Sequence, residues 1–298
     1  MAGKSEWSVA EPRTLHFDDP IEELAICTVN GTVNVVGTRS AATRVEIAEL
    51  SGPPLRVSRH QRRLVIAYPD LPWHGRHDWR DWRDWRGFLK RLGGRGWHRS
   101  AVVTVSVPAS VRLSVGVVRA GAVLSRLTGP TELRAVSGDA TLVGLSGQVR
   151  ADTVSGAVET QALTGKLNFT SVSGRLTMLD HAGQSVGANT VSGEVVLDLA
   201  ESAARPSLLL TTVSGDVALR LPEQADARVT GATRSGHVSS AFPELRVRGV
   251  WGAKSLGGTL GAGRGSIQCH TVSGGVSLLR RPRTEPDAPA FATTLRKD

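Results

Sequence analysis

The chain has 298 residues, 40% of them apolar, with 33 glycines but only five Phe and one Tyr, so a core is possible but must be made of Val, Leu and Ala. The net charge of +9 favours anionic partners over cationic ones. Two cysteines, Cys27 and Cys269, without a C-x-x-C or a metal-type spacing, exclude a disulfide-built scaffold and a zinc module.

Taken in order, Met1–Arg13 is polar and is expected to be disordered. Its first ten residues lack the apolar stretch of a signal peptide, and no run approaches the roughly 18–20 apolar residues of a membrane span, so a cytoplasmic or membrane-peripheral location is expected. Residues 14–70 read as an N-terminal β region that caps the repeats. Thr14–Phe17, Arg44–Ala48, Leu55–Ser58 and Arg63–Tyr68 are strand-like, with Pro53-Pro54 as a break. Within Leu24–Val36, Asn30-Gly31 is either a first, atypical repeat corner or the turn of a hairpin.

Residues 71–100 form an insertion of another composition. Trp73, Trp79, Trp82, Trp85 and Trp97 interleave there with Arg and Asp in a triple D-W-R run. On a helix, Trp82, Trp85, Leu89 and Leu92 share one face, and Gly93-Gly94 ends it. Trp and Leu on a basic helix suit a membrane interface, and Trp with interleaved Arg suits stacking on single-stranded nucleic acid. The plain alternative is a low-complexity loop over the body. The binding residues singled out are Trp79, Arg80, Trp82, Arg83, Trp85 and Arg86.

Residues 101–280 are repetitive. Ala101–Val107 is a strand closed by Pro108, and Val111–Val118 is the next. A Ser-Gly or Thr-Gly pair then recurs every nine residues at Ser137, Ser146, Ser155, Thr164 and Ser173. Around Gly156, Val154, Val158 and Thr160 alternate with Ser155, Ala157 and Glu159, the period of a half-buried strand. The stronger copies, V-S-G at Val136, Val154, Val172, Val191, Val213 and Val272, with Arg234-Ser235-Gly236 and a degenerate Leu256-Gly257-Gly258, are mostly 18–22 residues apart. One coil of about 18–22 residues with two short strands, stacked on the next at about 4.8 Å, is expected, which is an all-β, flattened β-solenoid. A meander of hairpins is the structural alternative. The residue before each V-S-G is Thr153, Ser171, Thr190, Thr212 or Thr271, a ladder of hydroxyls. Irregularities at Asp180–Gly187, Leu199–Pro206 and Leu221–Asp226 are expected on one rim, and residues 281–298 read as a disordered tail.

The T-V-S-G-x-V-x-L repeat of Thr190–Leu197 and Thr212–Leu219 resembles the bacterial β-strand-repeat family labelled "putative adhesin", a domain of unknown function. The resemblance spans roughly Leu15–Leu279 apart from the insertion. It implies the solenoid fold and, through relatives in envelope-stress systems, an envelope role. It implies no catalytic residue.

The residues just after the Ser-Gly pairs (Asp139, Gln148, Ala157, Lys166, Arg175, Glu194, Asp216, His237, Gly275) mix charge signs, so no repeated calcium site is expected. Asp180-His181 lacks a nucleophile, and the pair His74 and His77 lacks a third ligand. The Gly257–Gly265 run has neither the Lys-Ser/Thr ending nor the strand-to-helix setting of a phosphate loop. No catalytic residue, metal or cofactor is expected. The function expected is a non-enzymatic scaffold for a protein partner or an anionic membrane surface. Nucleic acid is a weaker candidate partner, self-association a structural alternative, and action on a polymer the enzymatic one.

Overall fold

A computed structural model describes residues 4–71, 98–183, 185–249 and 252–282. These residues are all-β, as the periodicity requires, and form two long sheets of 14 and 12 strands. The body of each sheet is parallel, and the two sheets enclose one core running from Val9 to Leu278.

The repeating coil is clearest between residues 113 and 190. Strands β9 (Arg112–Val117), β11 (Thr131–Ala135), β13 (Val149–Thr153), β15 (Leu167–Ser171) and β17 (Ser185–Thr190) lie side by side in the larger sheet. Strands β10 (Gly121–Ser125), β12 (Ala140–Val143), β14 (Val158–Gln161), β16 (Leu176–His181) and β18 (Val195–Leu199) do so in the other. Leu113, Thr131, Val149 and Leu167 are aligned partners, so 18 residues make one coil. The parallel pairing decides against the hairpin meander.

Each coil turns two corners, and the nine-residue period is the distance between them. At the V-S-G corner the chain passes from the larger sheet to the smaller. There the hydroxyl one residue before the valine accepts the N–H of the corner glycine: Ser171 Oγ from Gly174 at 2.7 Å, Thr212 Oγ1 from Gly215 and Thr271 Oγ1 from Gly274 at 2.9 Å. The serine donates to the valine carbonyl of the coil below, as in Ser155 to Val136 at 3.1 Å and Ser173 to Val154 at 3.1 Å. The glycine lies against the backbone of the glycine below, so a Cβ on Gly156 would collide with the Gly138 carbonyl. The second corner stacks Gly129, Gly147, Gly165 and Gly183 in the same way.

Asn30-Gly31 is a solenoid corner, not a hairpin turn. It joins β3 (Glu23–Thr28) in the larger sheet to β4 (Asn30–Thr38) in the smaller, with Gly31 at φ 102° against the backbone of Ala101.

The stack is not threaded in sequence order. The coil of β7 (Arg63–Ala67) and β8 (Ser100–Pro108) lies outside that of β3 and β4, which pairs directly with β9 and β10. At the far end, β19 (Ser207–Thr212) and β20 (Val217–Leu221) pair with β25 (Gly265–Thr271) and β26 (Val276–Arg280). The coil of β21 (Ala227–Thr233) and β22 (Val238–Ser240) comes next, outside β25 and β26. The serine ladder obeys this spatial order: Ser273 bonds Val213, and Ser235 bonds Val272.

Antiparallel strands close the ends. β1 (Lys4–Val9) pairs with β6 (Leu55–His60), and β2 (Arg13–Phe17) with β5 (Thr43–Ser51). The expectation of disorder over Met1–Arg13 is therefore corrected at residues 4–9. Trp7 and Val9 pack against the core there, and Trp7 meets Phe17 edge-on at 5.4 Å between ring centres. At the other end, β24 (Lys254–Leu260) and β23 (Arg246–Gly249) extend the larger sheet only. Leu256-Gly257-Gly258, expected as a degenerate corner, lies inside β24. Its Leu256 is buried, while an antiparallel neighbour on each side replaces the corner. The expected tail lies outside the described residues from 283 onward.

Candidate functional site: the base of the tryptophan-rich insertion

The coil of β7 and β8 is interrupted where the chain would cross from one sheet to the other. Trp79, Arg80, Trp82, Arg83, Trp85 and Arg86 all lie in residues 72–97, outside the described residues. The structure does place the two points where this segment leaves and rejoins the body.

Those points are tied together. The Arg99 guanidinium donates two hydrogen bonds to the Asp70 carboxylate, at 2.5 and 2.7 Å. Arg99 also lies over the Tyr68 ring, 5.0 Å from its centre. Its side chain is 7% exposed, while that of Asp70 is 58% exposed, so the pair reaches from the core to solvent. The Arg99 backbone carbonyl accepts the Asn30 side-chain amide at 2.8 Å, and Gly52, at φ 99°, faces Arg99 so closely that a Cβ there would lie 3.1 Å from the Arg99 Cα. On the departing side, Leu71 is buried and its N–H donates to the Tyr68 carbonyl at 3.1 Å.

The electrostatics derive from this geometry. The Arg99 hydrogen bonds hold the Asp70 carboxyl below the usual carboxylate range, and Asp70 in turn pushes the guanidinium up. Burial pushes the Tyr68 phenol up to about 12, and its buried hydroxyl has no hydrogen-bond partner among the described residues. The clamp is thus a planar cation held between a carboxylate and a ring, a geometry that lysine would not reproduce. Tyr68, Asp70 and Arg99 were not separable by sequence from the composition around them. The one available signal was an acid before and a base after the Trp-rich stretch, at Asp70 and Arg99.

Elsewhere the rim residues serve the stack. Asp139 accepts the Ala157 N–H at 2.9 Å, Asp216 accepts the Gly275 N–H at 2.6 Å, and Arg175 pairs with Glu194 at 3.0 Å. Asp180 and His181 diverge. Asp180, at φ 54°, pairs with Arg281 at 3.3 Å, whereas His181 is fully buried. The two thiols are buried as well, and burial pushes both up, Cys269 to about 12. Cys27 on β3 and Cys269 on β25 are separated by seven strand steps of about 4.8 Å, far beyond disulfide reach. Among the described residues, no three His, Cys, Asp or Glu side chains form a metal-binding group.

Residues 179–279 match the family described as Toastrack DUF4097, a domain of unknown function. This stretch begins at the end of β16 and takes in every coil from β17 onward, with the end strands β23 and β24. A solved structure described as a "putative cell adhesion protein", from Clostridium sporogenes ATCC 15579, aligns over 91% of this chain and 100% of its own, with 11% identity and a TM-score of 0.31. No curated protein matches the chain. The resemblance read from the T-V-S-G repeats is borne out over residues 179–279, the stretch that matches the Toastrack family of unknown function.

Proposed function

We propose that the protein is a non-enzymatic binding scaffold whose β-solenoid presents the Trp/Arg segment to an anionic membrane surface. The observation that supports this most directly is the Asp70–Arg99–Tyr68 clamp. It fixes both ends of the segment to a rigid coil, which lowers the ordering cost of any contact the segment makes. The composition of the segment, Trp alternating with Arg, suits the headgroup region of a bilayer. An envelope role, as the family resemblance implies, is compatible with this reading.

Vesicle co-sedimentation tests it. The full chain should bind phosphatidylglycerol-containing vesicles and not neutral ones, with a blue shift in Trp fluorescence and weakening at high salt. Changing Trp79, Trp82 and Trp85 together to Ala should abolish binding. Asp70→Asn, which loosens the clamp, should weaken it several-fold. Full binding by the triple variant, or equal binding to neutral vesicles, would overturn the reading and shift attention to a soluble protein partner.

A second reading, end-to-end self-association, rests on β22. This short strand ends the smaller sheet and pairs only with β26, while the larger sheet continues past it by two strands. Sedimentation velocity should then show concentration-dependent oligomers. A strict monomer at high concentration would end it.

A further inference from the structure

We propose that the outer face of the larger sheet at its C-terminal end, formed by β21, β24 and β23, is a second anion-binding site that grips the phosphates of a single extended phosphodiester strand. The site is independent of the Trp/Arg segment and lies at the opposite end of the stack.

The first observation is charge without partners. Arg228, Arg234, Arg246, Arg248 and Lys254 are all exposed, and none makes an ion pair or a side-chain hydrogen bond among the described residues. The N-terminal end differs: Arg44, Arg56, Arg59, Arg62 and Arg63 are matched by Glu46, Glu6, Asp19, Glu22 and Glu23. From Ala227 to Pro282 the only acid is Glu244, in the loop before β23. A surface kept for solubility alone intersperses both signs, and this one does not.

The second observation is register. Arg246 aligns across the sheet with Gly257 and Thr230, Arg248 with Ser255 and Ala232, and Arg228 with Thr259. These positions alternate with Leu256, Leu260 and Val229, which are buried, so the three arginines share the outer face. Arg246 and Arg248 are two residues apart on one strand, about 7 Å, and Arg228 lies two strands across and two residues along from Arg246, about 12 Å. The spacing of Arg246 and Arg248 is comparable to that of successive phosphates in an extended phosphodiester strand, and Arg228 lies about two such steps from Arg246. Each guanidinium can meet a phosphate with two parallel hydrogen bonds.

The third observation is the surface between them. Gly257, Ser255, Ala232, Thr230 and Thr259 form a low bed with three hydroxyls, bordered on β25 by His270 beside Ala232. Leu209 on β19 is the nearest exposed large apolar side chain of that face, two strands beyond Thr230. Among the described residues, small and hydroxyl-bearing side chains make up this bed and His270 is the ring at its border, so the arginines and their phosphates carry the contact.

The test is fluorescence anisotropy with the full chain and a labelled abasic phosphodiester oligomer, which carries phosphates and no bases. Binding is expected at low salt, with log affinity falling against log salt at a slope of about −2, the value for three phosphates on a single strand. Changing Arg228, Arg246 and Arg248 together to Gln should lower affinity at least about tenfold and flatten that slope. The single variant Arg246→Gln, with thermal unfolding unchanged, should give a smaller loss in the same direction. Changing the exposed Arg13, Arg39 and Arg126, which have no ion pair among the described residues, to Gln removes the same charge elsewhere and should leave binding intact. Absence of binding, an undiminished triple variant, an equal loss in the control, or much tighter binding of the base-bearing oligomer would each overturn the proposal. The variant with Trp79, Trp82 and Trp85 changed to Ala should bind the oligomer normally. Loss of oligomer binding there would defeat this inference while leaving the membrane reading standing. Loss of vesicle binding with oligomer binding kept does not touch it.

Discussion

His181 is a titratable ring in a place built for an apolar one. It is buried to 0% exposure at a bulge where β16 slips against β18, and neither ring nitrogen makes a well-aligned hydrogen bond among the described residues. Burial pushes its pKa below the ordinary 6.5, and the nearby Leu163 carbonyl offsets this only in part. The unfolded chain therefore binds a proton near pH 6.5 that the folded chain refuses, so stability is full above that pH and is lost as the pH falls below it. The thermal midpoint should drop between pH 7 and pH 5, and His181→Leu should remove most of that slope. A slope unchanged in the variant would assign the acid sensitivity to other groups.

At the scale of the element, the V-S-G corner divides its work among its residues. The glycine is fixed by close approach rather than by φ, since Gly156 is not among the positive-φ residues yet has no room for a methyl group. Gly156→Ala should cost about 1–3 kcal/mol in chemical denaturation, the usual penalty of overpacking, because the coils on either side would have to separate. Ser155→Ala removes only a bond at the exposed rim and should cost about 1 kcal/mol or less. Equal costs would contradict the stacking account. The corner was legible in the sequence because six coils repeat it as V-S-G. The Asp70–Arg99 clamp was not, because it occurs once and its partners stand 29 residues apart on either side of the insertion.

The whole molecule is a stack in which each coil depends on its spatial neighbours, not its sequence neighbours. β21 is held by β25 and β24, and β22 by β26 alone. Truncation after Gly263 should therefore release not only the missing coil but everything back to about Leu221. Limited proteolysis of that variant should trim it to a core ending near β20. Sequential stacking would instead leave β21 and β22 protected, and that pattern would refute the threading.

The coil, its length, its two glycine corners and its buried faces are all legible in the residues alone. These come from local repetition and from the period of two along a strand, which any stack of such coils must obey. Only the tertiary structure decided the order of the coils. Thr212-Val213-Ser214-Gly215 and Thr271-Val272-Ser273-Gly274 are interchangeable as corners, so nothing local says that the second stacks directly on the first and leaves Arg234-Ser235-Gly236 outside. The same holds for Leu256-Gly257-Gly258, whose composition fits a corner but whose two antiparallel neighbours make it a strand. It holds for the arginine face too, where residues from three separate strands become neighbours only through register.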